Sequence, residues 1–189
     1  MAIREKELVR RTLLGKRLSL SDTAYETGSR LISDRILALP EYTKAKTVLA
    51  FSPIVNRREP DINRVLEHIA EHKKLVLPVT DFATNRLRLF LVDDPESLQK
   101  NKWGIAEPDP LVCEEVGSDF PDLILVPMAG GDLQKNRVGY GKGFYDRILS
   151  EATGKSCGIV FECCLTERVP TEKHDIPLDL LVTEKREIR

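Results

Sequence analysis

The sequence predicts an α/β protein with three layers, a mostly parallel sheet covered by helices on both faces. Three observations point there. Short apolar runs without strict alternation, such as Leu75-Val76-Leu77 and Leu123-Ile124-Leu125-Val126, mark strands buried on both sides. Helical stretches separate these runs, which is the pattern of parallel strands joined by crossovers. The 189 residues, 41% apolar and 31% charged, have the size and mixture of one globular domain. No internal repeat, low-complexity tract or linker divides them, so residues 1–189 read as one domain.

Taken in order, residues 3–18 set Ile3, Leu14 and Leu18 among Arg4, Lys6, Arg10, Arg11, Lys16 and Arg17, a surface helix with a basic face. A second helix starts near Ser19 or Ser21, where Ser19-Leu20-Ser21-Asp22 resembles a capping box, and runs to Pro40. Val48 to Phe51 is a buried strand ended by Ser52-Pro53. Ile62, Val65, Leu66 and Ile69 follow the i, i+3, i+4, i+7 spacing of an amphipathic helix, and Asp61 is placed to cap it. Residues 75–79 form a strand, and Leu87, Leu89 and Leu91 alternate with Arg88 and Phe90 in another extended piece. Residues 93–121 are irregular. Leu123 to Val126 is a strand, Phe144 begins a helix, and Cys157 to Phe161 and Leu180 to Thr183 supply the last strands. In such sheets ligands bind beyond the carboxyl ends of the strands, so the loops after Phe51, Val79 and Val126 are expected to share one crevice.

Composition excludes several classes of function. A formal net charge of −1 gives no overall field for nucleic acid, and no basic stripe with interleaved aromatics appears beyond the first helix. The start lacks the apolar region of a secretory signal, and no apolar run is long enough to span a bilayer. A cytoplasmic protein is expected, with no membrane partner. Cys113, Cys157, Cys163 and Cys164 lack metal-ligand spacing; adjacent Cys163-Cys164 offer a redox-active reading, against which stands that of buried or idle thiols in a reducing cell. His68 and His72 share a helix face without a third ligand.

The segment Asn136-Arg-Val-Gly-Tyr-Gly-Lys-Gly-Phe-Tyr-Asp-Arg147 carries the chemistry. Gly139, Gly141 and Gly143 allow several backbone N–H groups to converge on one anion, and a helix beginning at Phe144 adds its unpaired amides. Arg137 and Lys142 add positive charge. Asp146 next to a phosphate site implies an intervening cation such as Mg²⁺. The loop is neither a Walker A sequence nor a dinucleotide fingerprint. The plain alternative is a glycine-rich turn whose Tyr140, Phe144 and Tyr145 only pack.

Asp122-Leu-Ile-Leu-Val-Pro127 followed by Arg137-Val-Gly-Tyr-Gly-Lys-Gly-Phe-Tyr-Asp-Arg-Ile-Leu149 closely resembles the signature of the 5-formyltetrahydrofolate cyclo-ligase family. The likeness covers nearly the whole chain. Lys6-Glu-Leu-Val-Arg10 resembles that family's K-x-x-x-R, Glu59 with Asp61 its acidic loop, Trp103-Gly-Ile-Ala-Glu-Pro108 its Trp/Gly-Ile-x-Glu-Pro segment, and Val169-Pro170 through Asp175-Ile-Pro177 a late element. The chain departs from the pattern at Gly131, Lys135 and Ile62, and its loop from Ser52 to Arg58 is longer.

The resemblance implies a Rossmann-like, CoA-transferase-like architecture and an enzyme, a carbon–nitrogen cyclo-ligase. Its reaction is conversion of 5-formyltetrahydrofolate and MgATP to 5,10-methenyltetrahydrofolate, ADP and phosphate. Arg137, Lys142 and Asp146 would be catalytic. Lys6, Arg10, Arg137 and the backbone of Val138, Gly139, Tyr140, Gly141, Lys142, Gly143, Phe144 and Tyr145 would hold ATP, and Asp146 with Asp175 would hold Mg²⁺. Arg10, Ile54, Glu59, Trp103, Tyr140 and Phe144 would meet the folate. The partners implied are these small molecules, and the chain is expected to be a monomer. Against this stand a paralogue with another N-formyl or heterocyclic substrate and a non-catalytic anion-binding module. Read without the resemblance, Lys6 and Arg10 are a solvated helix face, Trp103 a packing residue and Asp175 part of a turn.

Overall fold

The computed structural model describes residues 2–81, 83–84, 86–94, 98–101 and 105–189. Helices α1 (Ala2–Leu18) and α2 (Asp22–Ala38) come first. Ser21 caps α2 by accepting the Ala24 N–H. Pro40 does more than stop that helix: it occupies the first turn of α3 (Pro40–Lys44), where its missing N–H costs nothing. Then follow β1 (Thr47–Leu49), a 3₁₀ turn (Val55–Arg57), α4 (Asn63–His72), β2 (Lys74–Asp81) and β3 (Arg86–Val92). Asp61 accepts the N–H of Asn63, the first residue of α4. The stretch read as irregular contains three two-residue strands, β4 (Gln99–Lys100), β5 (Ala106–Glu107) and β6 (Glu115–Val116), too short to show a period. The chain continues with β7 (Leu123–Pro127), β8 (Gly130–Gly131), β9 (Arg137–Val138), α5 (Phe144–Glu151), β10 (Lys155–Ile159), a second 3₁₀ turn (Glu162–Cys164), β11 (Leu180–Val182) and β12 (Glu187–Ile188).

Among the described residues eight strands join in one sheet, in the order β12-β11-β10-β7-β1-β2-β3-β6. The run from β11 to β2 is parallel, while β12, β3 and β6 are antiparallel additions at its two edges. The apolar runs explain the centre. Val48, Leu49, Ile124, Leu125 and Val126 are wholly buried, and each contributes about 1.5–3 kcal/mol by leaving water. The helix α4 turns Val65 and Ile69 into the same core.

The connections fix where the sheet opens. From β1 the chain moves through α4 to β2 on one side, and from β7 through α5 to β10 on the other. Right-handed crossovers in opposite directions place α4 and α5 on opposite faces. The order therefore reverses between β1 and β7, and the loops leaving their carboxyl ends part to open a crevice. Val79, expected to lead into a loop of this crevice, instead lies within β2, which runs on to Asp81 and pairs antiparallel with β3. His68 and His72 stack on each other, and His68 bonds the Tyr42 hydroxyl at 2.8 Å. All four cysteines are free thiols. No helix among the described residues is long and apolar enough to cross a membrane.

Candidate active site

Beyond β7 the chain forms a small antiparallel hairpin in which Gly131 pairs with Arg137 and Gly130 with Val138. Its turn is built on Asp132, a fully buried carboxylate. One oxygen accepts the Gln134 and Asn136 amides at 3.0 Å each, and the other accepts Asn136 Nδ2 at 3.0 Å and the Val169 amide at 2.9 Å. Lys135 completes the turn with φ of 66°. This turn, on which the chain departs from the family pattern, delivers Arg137 to the crevice. The Arg137 guanidinium is 6% exposed, donates to the Ile176 carbonyl and pairs with the Asp146 carboxylate. Burial pulls its pKa below the ordinary arginine value, against the pull of Asp146.

After β9 the backbone turns sharply into α5. Gly141 and Gly143 have φ of 90° and 65°, a region that side-chain-bearing residues adopt only with strain, and Gly143 is the N-cap of α5 with no side-chain bond. Among the described residues the N–H groups from Tyr140 to Tyr145 donate to no backbone carbonyl. They are the unpaired donors that a glycine loop entering a helix presents to an anion. Arg10 braces the loop, donating from Nε to the Gly139 carbonyl at 2.7 Å and lying against Gly141.

A cavity of about 400 Å³ opens over this loop at the end of β7. Lys6, Arg10, Arg137, Gly139, Tyr140, Gly141, Lys142, Gly143, Phe144, Tyr145, Asp146 and Asp175 all line it, so most of the residues singled out in the sequence meet there. The basic face of α1 is consequently solvated only in part. Lys6 and Arg10, one turn apart, are 12% and 15% exposed, whereas Arg4, Arg11 and Lys16 do face water. Lys6 Nζ lies 2.6 Å from both oxygens of Asp175, and the Glu172 amide donates to the same carboxylate. Burial raises the Asp175 pKa, yet the bonds from Lys6 and the Glu172 amide outweigh it and leave the carboxyl below its usual range. Asp175 and Asp146 are thus each engaged by a cation, Lys6 and Arg137. Among the described residues no group of three or more His, Cys, Asp or Glu side chains is gathered for a metal.

Other expected residues lie elsewhere. Val138 is buried behind the loop with Ala129 and Val169. Glu59 is 2% exposed, on the β1 side of the crevice, and is held by the Ile54 amide at 2.8 Å and the Tyr140 hydroxyl. Ile54, expected to meet the folate, gives its backbone amide to Glu59. Trp103 lies outside the described residues. Sequence reading missed Glu7, Glu172 and His174, which line the cavity, and Asp132 and Arg17, which brace it. Only Asp132, in a Gly-Gly-Asp turn signal, left a trace that could have been followed. The Tyr145 hydroxyl is buried without a partner, a donor that a ligand can satisfy.

Residues 2–184 match the model of the 5-formyltetrahydrofolate cyclo-ligase family. Similar proteins include the 5-formyltetrahydrofolate cyclo-ligase of Haemophilus influenzae, 28% identical with 96% of this chain and 100% of that one covered. That of Mycolicibacterium smegmatis is 30% identical, with 100% and 98% covered. The NMR structure of Aquifex aeolicus 5,10-methenyltetrahydrofolate synthetase is similar with a TM-score of 0.86 and 34% identity, over 97% of this chain and 92% of that one.

Proposed function

Since the chain belongs to the 5-formyltetrahydrofolate cyclo-ligase family and is an enzyme of that kind, we propose that it closes the ring of 5-formyltetrahydrofolate to 5,10-methenyltetrahydrofolate by consuming ATP in the cavity over the glycine loop. The observation that carries this reading is the row of unpaired amides from Tyr140 to Tyr145 beside Lys6, Arg10, Arg137 and Lys142.

The chemistry explains the need for ATP. An N-formyl group is an amide, stabilised by resonance, and its oxygen does not leave unaided. Transfer of the γ-phosphoryl group to that oxygen, with ADP departing, turns it into a phosphate leaving group. N10 then attacks the formyl carbon, the C–O bond breaks, phosphate leaves and N10 gives up its proton. Phosphoryl transfer asks the protein for alignment and neutralisation of charge rather than for a nucleophile. The loop amides and Arg137 would hold the phosphates, Lys142 and Lys6 would add charge, and Arg10 would sit between nucleotide and folate. Glu59 would take the donors of the pterin edge with the acceptor capacity that Ile54 and Tyr140 leave, and Tyr140 and Phe144 would flank its ring.

Asp146 and Asp175 fit Mg²⁺ in kind, because that ion typically takes one or two carboxylates together with substrate phosphates. Their present partners, Lys6 and Arg137, are cations that arriving phosphates would engage, freeing carboxylate oxygens. The ion when bound would supply neutralisation of the charge on the transferring group. Enzyme mixed with MgATP and 5-formyltetrahydrofolate should show the near-ultraviolet absorbance of the methenyl product. Absence of that signal in protein that still binds ATP would transfer the case to a paralogue with another substrate.

A further inference from the structure

We infer that Arg17 is a positioning residue of this site, fixing Tyr140 at the apex of the glycine loop and through it joining the two walls of the crevice. The inference rests on the folate reading given above. Arg17 is 1% exposed, an unusual place for a guanidinium. It stands seven residues after Arg10, so Lys6, Arg10 and Arg17 follow one face of α1. Both terminal nitrogens lie 3.1 Å from the Tyr140 oxygen, and one also reaches the Met128 carbonyl at 3.2 Å, while Nε is buried with no partner.

The proton arrangement follows from the chemistry of the three groups. Arginine only donates and a carboxylate only accepts. The Tyr140 oxygen therefore receives from Arg17 and donates its own proton to Glu59. A buried cation and a buried anion are bridged by one phenol, which gives each a partner. Burial and the Glu59 charge push the phenol pKa up, so it stays protonated and keeps this direction. Tyr140 belongs to the loop between β9 and α5, Glu59 to the connection from β1 to α4, and Arg17 to α1. The backbone of Glu59 is held in turn by the Tyr25 hydroxyl at 2.9 Å, from α2. Among the described residues the hydrogen bonds of Arg17 to the cavity lining go to Tyr140, and it acts through that side chain.

The test is a double-mutant cycle with Arg17→Met and Tyr140→Phe, measuring kcat, KM for each substrate and the melting temperature. Each single change should lower turnover efficiency, by roughly a hundredfold at most. The loss should appear in kcat and in KM for 5-formyltetrahydrofolate, with KM for MgATP nearly unchanged because Arg137 and the loop amides remain. The double variant should be no worse than the poorer single one, and Arg17→Lys should recover part of the loss, since an ammonium can still donate to the phenol. Should Arg17→Met not fold, Arg17→Lys takes its place in the cycle. Losses that multiply, or that follow the melting temperature and leave both KM values alone, would overturn the assignment and make Arg17 a packing residue. Failure of the wild-type enzyme to form the methenyl product would instead sink the reading of function on which this one rests.

Discussion

Replacing Asp132 with asparagine tests whether the hairpin turn is what places Arg137. The carboxylate accepts four hydrogen bonds, two on each oxygen, and none of its donors can be satisfied by an amide nitrogen put in the place of one oxygen. Asparagine can keep its carbonyl toward Gln134 and Asn136, and then its NH₂ points at Asn136 Nδ2 and the Val169 amide. The Asn136 side chain is half-buried and can rotate away, but the Val169 backbone, 1% exposed, has nowhere to go. With Asn136 exchanging its bond for water, what remains is the buried Val169 amide deprived of a charged acceptor, a loss of about 2–4 kcal/mol. At about 2–4 °C per kcal/mol for a chain of this length, the melting temperature should fall by roughly 5–15 °C. Thermal unfolding followed by circular dichroism measures that fall. Because Arg137 leaves the same turn, KM for ATP should rise several-fold in protein still folded at the assay temperature. A variant melting within about 2 °C of wild type, with ATP affinity intact, would refute the role given to Asp132.

Three further outcomes are expected. Arg137→Ala removes the guanidinium from Asp146 and from the Ile176 carbonyl, and should raise KM for ATP by roughly 10- to 100-fold, the worth of one or two charged hydrogen bonds, with folate affinity little changed. Weakened folate binding alone would contradict the assignment. Leu125→Ala, in the wholly buried centre of the sheet, should cost about 2–5 kcal/mol in urea unfolding. Asp179 accepts the Ser156 amide and hydroxyl and the Lys155 ammonium. Burial works to raise its pKa, but these bonds leave it below the ordinary value of 3.8. A depressed folded value means stabilisation that is whole above the unfolded pKa and is lost as pH falls through the folded one. Asp179→Asn should therefore cost about 1 kcal/mol at pH 7, a modest figure because the side chain is 38% exposed. The gap to wild type should close below about pH 4.

The sheet and the loop were legible in the sequence for different reasons. Strands buried on both faces leave unbroken apolar runs, and α4 leaves its spacing, because burial selects residue type directly. Glycines in the left-handed region leave an equally direct mark. The two-residue strands leave none, and β10 runs two residues earlier than its apolar content suggests, from Lys155 rather than Cys157. Arg17 illustrates the deeper difficulty. A basic residue among basic residues on a helix looks solvated, and only the tertiary position of Tyr140 shows that it is enclosed. Glu59 was expected to point at a ligand, and its carboxylate already serves the Ile54 amide and Tyr140. Such polar pairings depend on partners distant in sequence, and no local pattern encodes them.

The cavity wall carries Lys6, Arg10, Arg137 and Lys142 against Glu7, Asp146, Glu172 and Asp175, an even match of formal signs. An enclosure balanced in this way exerts no long reach on a passing anion and discriminates only at contact. Nucleotide should accordingly arrive at a rate almost indifferent to ionic strength, and the hold on it should come from exchanged neighbours rather than from a standing field.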